Sequence, residues 1–413
     1  MTARPSTSST RARRPLEWRL QPVWERVLVA VFLAVLVVPG LATLAGVDAG
    51  VTRGENRDLA PAPVLAAAGA AMAALPAAFT AYFQDHFAFR GRLVRWQAAL
   101  RLQALRGSPS PTVIRGRDGW LFYADDGALD DYLNQVPFSA ADLDTWATTL
   151  QHTSDWMTAR GITYLFVIAP DKHVMYPEYL PASIHPTAGP SRTDQLVAHL
   201  RAHTTVPVLD LRPALFAAKN EARLYHRTDS HWNDLGAAVA TRAILNRLDR
   251  LAHGSLPGLA APPDSAYARR DVRAPGRDLA RMLGLEAWLT EDEPILRLRD
   301  GTARVVAPAQ PDPNFDEGRL VSEKAGADLP RAVVYRDSFG SALVPFLAEH
   351  FSRALFLWEY DVDPALIAQE HPRVVIQEWA GRRFATRLPY DPFAASAAAP
   401  VAPPVSSSDG ARR

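Results

Sequence analysis

Ala332-Val333-Val334-Tyr335-Arg336-Asp337-Ser338-Phe339-Gly340 is a short apolar run that ends in charge and a serine, and Ala342-Leu343-Val344-Pro345-Phe346-Leu347 after it reads as a helix. A strand apolar on both faces that turns directly into a helix belongs to a parallel sheet covered on both sides. The same pattern recurs. Ile162 to Ile168 is a continuous apolar strand after a helix around 140–159, and Val206 to Asp210 follows a helix near 191–203. Ala354 to Trp358 and Val374 to Gln377 supply two more strands. Alternating buried strands and helices predict an α/β fold with a mostly parallel sheet flanked by helices. In such sheets reactive groups gather at the carboxyl ends of the strands, where Ser338 stands.

A second cluster, Asp229-Ser230-His231-Trp232-Asn233, offers a carboxylate and an imidazole two residues apart. On an extended segment such residues project from one face. A serine hydroxyl becomes a good nucleophile when a base takes its proton and an acid fixes that base's tautomer. His231 is the candidate base, Asp229 its orienting acid and Ser338 the nucleophile. Backbone N–H groups of Ser338 and Gly340 at the strand-to-helix turn are candidate oxyanion donors. Plainer readings compete: Asp337-Ser338 and Thr228-Asp229-Ser230 each precede a helical stretch and suit helix capping. A metal site using Asp229, His231 and His226 is the weaker alternative, because no His-x-x-x-His pair supports it.

Composition narrows the class. The 413 residues carry a formal net charge of +1, which argues against an electrostatic nucleic-acid binder, and the absence of cysteine excludes disulfides, thiol nucleophiles and thiolate metal sites. Val27 to Val47 is uncharged and long enough to cross a bilayer as a helix. Arg11, Arg13, Arg14, Arg19 and Arg26 precede it, whereas Arg53 and Arg57 beyond it are balanced by Asp48, Glu55 and Asp58. The positive-inside rule then keeps the N-terminus in the cytoplasm and sends the rest outside. A cleaved signal peptide and a buried helix are the competing readings; the long charged start and the lack of a small-x-small cleavage site favour a single-pass anchor.

The expected organisation is a disordered cytoplasmic segment (1–23), a transmembrane anchor (24–47), a linker with membrane-proximal helices (48–109), a catalytic domain (110–392) and a disordered tail (393–413). Within 48–109, Phe79, Phe83, Phe87, Leu93, Trp96 and Leu100 fall on one stripe of a helix spanning Ala78 to Arg106, which reads as packing. Residues 255–330, rich in Pro and Asp turns, read as an insertion with one β segment near Ile295–Val306.

In this order the two clusters resemble the DxHW and DSF signatures of the alginate O-acetyltransferase-like family (AlgJ/AlgX), which has an SGNH-hydrolase-like fold. Further motifs are similar to that family's: Glu55-Asn56-Arg57 with Leu59-Ala60, Asp85-His86-Phe87-Ala88-Phe89-Arg90, Gly116-Arg117-Asp118-Gly119-Trp120-Leu121-Phe122, and Pro170-Asp171-Lys172-His173 with Tyr176-Pro177-Glu178 and Leu180-Pro181. The resemblance covers about residues 50–390. The acid–base pair precedes the serine, as in the family's permuted order and unlike ordinary SGNH hydrolases. Arg336 departs from it, since many relatives have glycine before Asp-Ser. The resemblance implies acetyl transfer to an extracytoplasmic polysaccharide through an acetylated Ser338, with His231 as base in both half-reactions and no cofactor or metal. It also implies a membrane-bound O-acyltransferase as partner.

Lys172, just past a strand, is expected to help bind an anionic or polar donor. Trp120, Tyr123, Trp232, Trp358 and Trp379 offer apolar faces for sugar rings, Trp232 first because it adjoins His231. An acetylesterase with the same triad, and a non-catalytic glycan-binding or assembly subunit, are the rival functions; the sequence does not name the glycan.

Overall fold

The computed structural model describes residues 22–45, 47, 60–63, 70–103, 110–306, 318–325 and 328–394. It forms two compact units, Met1–Trp96 and Gln97–Arg413. In the first, the helix Pro22–Leu44 is largely apolar, and its residues 23–38 are all solvent-exposed. Its stretch Val23–Thr43, mean hydropathy 2.3, is long and apolar enough to cross a membrane. The expectations for the N-terminal arginine-rich segment fall outside the described residues.

The single helix expected from Ala78 to Arg106 is instead two, Ala70–His86 and Arg90–Gln103. Phe89 sits between them at φ 68, in the left-handed region that an α-helix cannot continue through. The stripe does not pack as expected: Phe79, Phe83, Leu93, Trp96 and Leu100 are all exposed.

The second unit is built on strands β1 (Val113–Arg115), β2 (Leu121–Tyr123), β3 (Thr163–Ala169), β4 (Val208–Asp210), β5 (Tyr267–Pro275), β6 (Thr290–Leu298), β7 (Arg304–Val306), β8 (Arg319–Glu323), β9 (Arg331–Tyr335), β10 (Arg353–Leu357) and β11 (Val374–Ala380). Seven of them form one sheet in the order β4-β3-β11-β9-β10-β8-β7. β4, β3, β11, β9 and β10 run parallel, whereas β8 and β7 close the far edge antiparallel. The mostly parallel sheet is therefore as expected.

Its alternation covers both faces. Leu165, Val167, Val334, Phe356 and Ile376 join one core with Ile244 and Leu245 of the helix Asp234–Leu251. Phe166, Ile168, Val333, Leu355, Val375 and Trp379 join the other with Trp146, Leu196 and Leu200. The covering helices start where the sequence marks them. Ser139 with Asp142 and Ser191 with Asp194 form reciprocal capping boxes on Ala140–Thr158 and Arg192–His203. Phe393 stacks on Trp156 at 5.1 Å, so packed structure continues one residue into the stretch assigned to the tail.

The stretch 255–330 holds more β-structure than one segment. β5 and β6 form a long antiparallel hairpin, Tyr267 opposite Leu298 through Pro275 opposite Thr290. β7 and β8 then enter the main sheet as its edge. The charged stretch Arg269-Arg270-Asp271 in β5 hid this, because that strand is largely exposed and lacks an apolar run.

Candidate active site

Parallel strands end at one edge of their sheet, so neighbours place the residues that follow them side by side. β3, β11 and β9 are adjacent, and they are followed by Asp171-Lys172, Gly381-Arg382 and Asp337-Ser338. The DxHW segment lies against this edge just before the helix Asp234–Leu251.

Ser338 Oγ and His231 Nε2 are 2.7 Å apart, and His231 Nδ1 lies 2.7 Å from Asp229 Oδ1. The backbone N–H of His231 also donates to that carboxylate oxygen at 3.0 Å. An ionised carboxylate only accepts, so Nδ1 carries the proton and Nε2 is left free to take one from the serine. Asp229 is buried, which by itself raises a carboxyl pKa, but the hydrogen bonds it accepts from His231 outweigh burial and hold it well below the usual carboxylate range. The residues foreseen as nucleophile, base and acid thus meet in one hydrogen-bonded line, with Ser338 and His231 partly exposed.

The capping alternatives resolve by geometry. Asn233, not Thr228, Asp229 or Ser230, caps the long helix, its side chain accepting from the N–H groups of Leu235 and Gly236. At the second turn Asp337 is the cap: its Oδ1 accepts from Phe339 N at 2.8 Å and its Oδ2 from Ala380 N at 2.8 Å. Ser338 is left for the imidazole.

Lys172 does not face a donor. It is 1% exposed, and its ammonium donates to the backbone carbonyls of His226 at 2.9 Å, Arg227 at 3.1 Å and Asp229 at 2.6 Å. Burial pushes its pKa down to about 7 against the pull of Asp278, Asp229 and Glu291. The expectation of a donor-binding lysine is corrected: the side chain holds the loop that carries Asp229. Trp232 is corrected likewise. It is buried at 2% exposure, donates from Nε1 to Phe339 O at 3.1 Å and meets the Phe339 ring edge-on at 5.0 Å, leaving no face for a sugar. Trp120 and Trp379 are also buried, Trp120 stacked on Tyr179 at 4.4 Å and Trp379 edge-on to Trp146 at 4.8 Å. Tyr123 and Trp358 are half-buried.

Gly340 has a packing reason of its own. A Cβ there would lie 2.5 Å from Arg336 Cβ and 2.8 Å from Glu378 Oε2. Arg336, the departure from the family pattern, is fully buried, with its guanidinium 5.1 Å from the Trp358 ring and 2.6 Å from Ser341 Oγ. Beside it Glu378 accepts from Asp337 N at 3.0 Å; burial first, then the Asp337 charge, raise its pKa well above the ordinary value.

Three site residues escaped the sequence reading. Glu291, on β6, accepts from the N–H groups of Arg227 at 2.8 Å and Thr228 at 3.0 Å and from the Thr228 hydroxyl, and these bonds, the hydroxyl's first, outweigh burial so that its pKa falls to about 2. Asp278 accepts from Ser230 N at 2.9 Å and Ser230 Oγ at 2.5 Å and stands 3.7 Å from His231 Nδ1. Both come from the stretch read as an insertion, which is thereby the clamp on the DxHW loop. Arg382, after β11, pairs with Asp171 at 2.8 Å and points Nη2 at Ser338 Oγ, 3.4 Å away. No local motif marks any of them; only the fold brings them to the site. Asp229, His231 and Asp278 also bring one ligand-type atom each within 4.8 Å of one another, but the hydrogen bonds to His231 and Ser230 already engage those atoms.

Residues 113–355, which contain Asp229, His231 and Ser338, match the family described as SGNH hydrolase-like domain, acetyltransferase AlgX. The chain belongs to this AlgJ/AlgX-like family. Among curated relatives, the probable alginate O-acetylase AlgJ of Pseudomonas aeruginosa is 28% identical over 171 residues, 40% of each chain. The protein of the same name from Pseudomonas syringae pv. tomato is 29% identical over 167 residues, again 40% of each. The matched region thus spans about two-fifths of the length of these AlgJ relatives. Among solved structures, Bacillus cereus PatB1 with a sulfonyl adduct aligns over 67% of this chain and 98% of its own, at 17% identity and a TM-score of 0.49. The O-acetyltransferase domain of Pseudomonas putida AlgJ aligns over 67% and 94%, at 21% identity and a TM-score of 0.45.

Proposed function

We propose that this AlgJ/AlgX-like protein is a polysaccharide O-acetyltransferase that carries the acetyl group on Ser338. The observation that carries the reading is the unbroken line from Asp229 Oδ1 through the His231 ring to Ser338 Oγ, 2.7 Å at each hydrogen bond. In the first half-reaction Ser338 Oγ bonds to the acetyl carbon while His231 Nε2 takes its proton. The tetrahedral intermediate collapses, the bond to the donor's oxygen breaks, and that oxygen receives the proton. In the second, a sugar hydroxyl gives its proton to Nε2 and attacks acetyl-Ser338; the serine leaves and regains a proton from the imidazole. Asp229 stabilises the imidazolium in both.

The acceptor is an extracytoplasmic polysaccharide, and a membrane-bound O-acyltransferase supplies the acetyl group. Supporting this placement, the exposed helix Pro22–Leu44 serves as a single-pass anchor, N-terminus in the cytoplasm, with residues 48–109 near the membrane and 110–392 as the catalytic domain in the periplasm or outside the cell.

The test incubates the full-length chain in detergent with p-nitrophenyl acetate, with and without oligosaccharide. Acetylated oligosaccharide is expected by mass spectrometry and lost in Ser338→Ala. Hydrolysis with no acetyl ever appearing on sugar would instead make the protein an acetylesterase. Activity persisting in both Ser338→Ala and His231→Ala would remove the triad from the reaction.

A further inference from the structure

We propose that Arg382 is a catalytic residue, the side-chain donor that holds the negative oxygen formed when Ser338 attacks an acetyl carbonyl. The proposal rests on the triad reading above and adds the group that stabilises its tetrahedral intermediate.

The argument starts from which donors surround Ser338. At a strand-to-helix turn the first amides of the helix are the usual oxyanion donors. Here the Phe339 amide is taken by Asp337 Oδ1 at 2.8 Å, and the Asp337 amide by Glu378 at 3.0 Å. Gly340, one residue on, is packed tightly against Arg336 and Glu378. The helix itself spans only Ser338–Ser341, too short to add much dipole. Two of the backbone donors flanking Ser338, those of Asp337 and Phe339, are therefore committed to holding the turn.

Arg382 is placed to add a charged side-chain donor. It follows β11, between the strands that deliver Asp171 and Ser338. It is 5% exposed, so its charge acts with little screening from water. Asp171 grips it twice, Oδ2 accepting from its backbone N–H at 2.8 Å and Oδ1 from Nη1 at 2.8 Å. Its guanidinium lies 5.3 Å over the Phe339 ring. These contacts fix the fork and leave Nη2 directed at Ser338 Oγ, 3.4 Å away. Burial works against the charge, but Asp171 and Asp337 more than compensate and keep the group a cation.

As Oγ bonds to the acetyl carbon, the carbonyl π electrons move onto oxygen and the serine proton passes to His231 Nε2. The new oxyanion is bound to a carbon that is itself bonded to Oγ, so it forms within reach of Nη2. A charged N–H donor is worth most at that moment, because the ground-state carbonyl carries little charge. When the carbonyl re-forms, the donor's oxygen leaves with the proton and Arg382 is unchanged.

The competing role is purely structural: Asp171 and Arg382 tie the ends of β3 and β11 together. The test uses full-length protein in detergent and the burst of p-nitrophenol from p-nitrophenyl acetate, which reports acylation alone. Asp171→Asn/Arg382→Gln removes both charges of the pair, and Arg382→Lys keeps the pair while offering a single ammonium for both partners. The burst rate constant is expected to fall ~10²–10³-fold in the double variant and at least ~10-fold in Arg382→Lys, with circular dichroism unchanged. A variant of native circular dichroism that acylates within about threefold of the parent would overturn the proposal. Ser338→Ala run alongside separates the two readings. A burst surviving there sinks the triad, whereas a burst lost there but kept in the Arg382 variants sinks only the arginine's role.

Discussion

The ammonium of Lys172 lies 2.6 Å from the carbonyl oxygen of Asp229, and the same nitrogen also holds the carbonyls of His226 and Arg227. One buried cation at the end of β3 therefore gathers three backbone oxygens that would otherwise repel one another. In Lys172→Met those carbonyls lose their donor. The expected result is a stability loss of about 2–4 kcal/mol and a kcat lowered at least tenfold, with KM for the acetyl donor little changed. Thermal unfolding and steady-state kinetics on the same preparation check it; a raised KM at constant kcat would return Lys172 to donor binding.

Asp229→Asn keeps the shape of the triad but turns its acceptor toward a donor, so the imidazole no longer has a fixed Nδ1–H. Acylation is expected to fall ~10⁴-fold, the scale known for the equivalent change in a serine protease. Burst kinetics measure it directly. A loss below about tenfold would mean that His231 is oriented by something other than Asp229.

Glu291 holds the DxHW loop from outside the main sheet, accepting from the amides of Arg227 and Thr228 and pairing with Arg223. Glu291→Gln keeps the acceptor oxygen but loses the charge. About 1–3 kcal/mol of stability is expected to go, together with faster amide exchange at 227–231. Hydrogen exchange localised elsewhere would show that the β5–β6 hairpin does not clamp the loop.

Burial and then the neighbouring Asp229 charge raise Asp278 to about 6, above the ordinary carboxyl value. In the folded state it therefore binds a proton that the unfolded chain has released between about pH 4 and pH 6. The sign follows: its contribution to stability is full below about pH 4 and is lost as pH rises through 6. Asp278→Asn, which cannot ionise, is expected to flatten that part of the stability–pH curve. Denaturant unfolding of parent and variant at pH 4.5, 6 and 7.5 checks it, and parallel curves would refute it.

Trp232→Phe retains an aromatic ring but removes the Nε1 bond to Phe339 O. A loss of about 1–2 kcal/mol in stability is expected, with KM for an oligosaccharide acceptor unchanged. An increase in that KM with stability intact would restore Trp232 as a sugar platform.

Much of the site was legible in order and spacing. Asp229 and His231 two residues apart on an extended segment, and Ser338 after an apolar strand, are local facts, and local facts survive translation into structure because strand geometry fixes where neighbours point. The reading failed where side-chain character was taken for exposure. Lys172 and Trp232 look like binding residues by type, but type does not say which side of the sheet edge is sealed. Glu291, Asp278 and Arg382 lie far along the chain from their partners in segments without a motif, so nothing in the sequence joined them to the triad.

What the sequence determined by itself was the mostly parallel α/β sheet, the apolar N-terminal helix and the residue types at Asp229, His231 and Ser338, the first two set by periodicity and the last by motif. Tertiary structure alone decided that β11 falls between β3 and β9, and with it that Arg382 meets both Asp171 and Ser338. It also decided that the β5–β6 hairpin reaches the DxHW loop through Glu291. The physical reason is strand order: hydrogen bonding between strands is the same whichever strand is the neighbour, and only the packing of the whole core selects one arrangement.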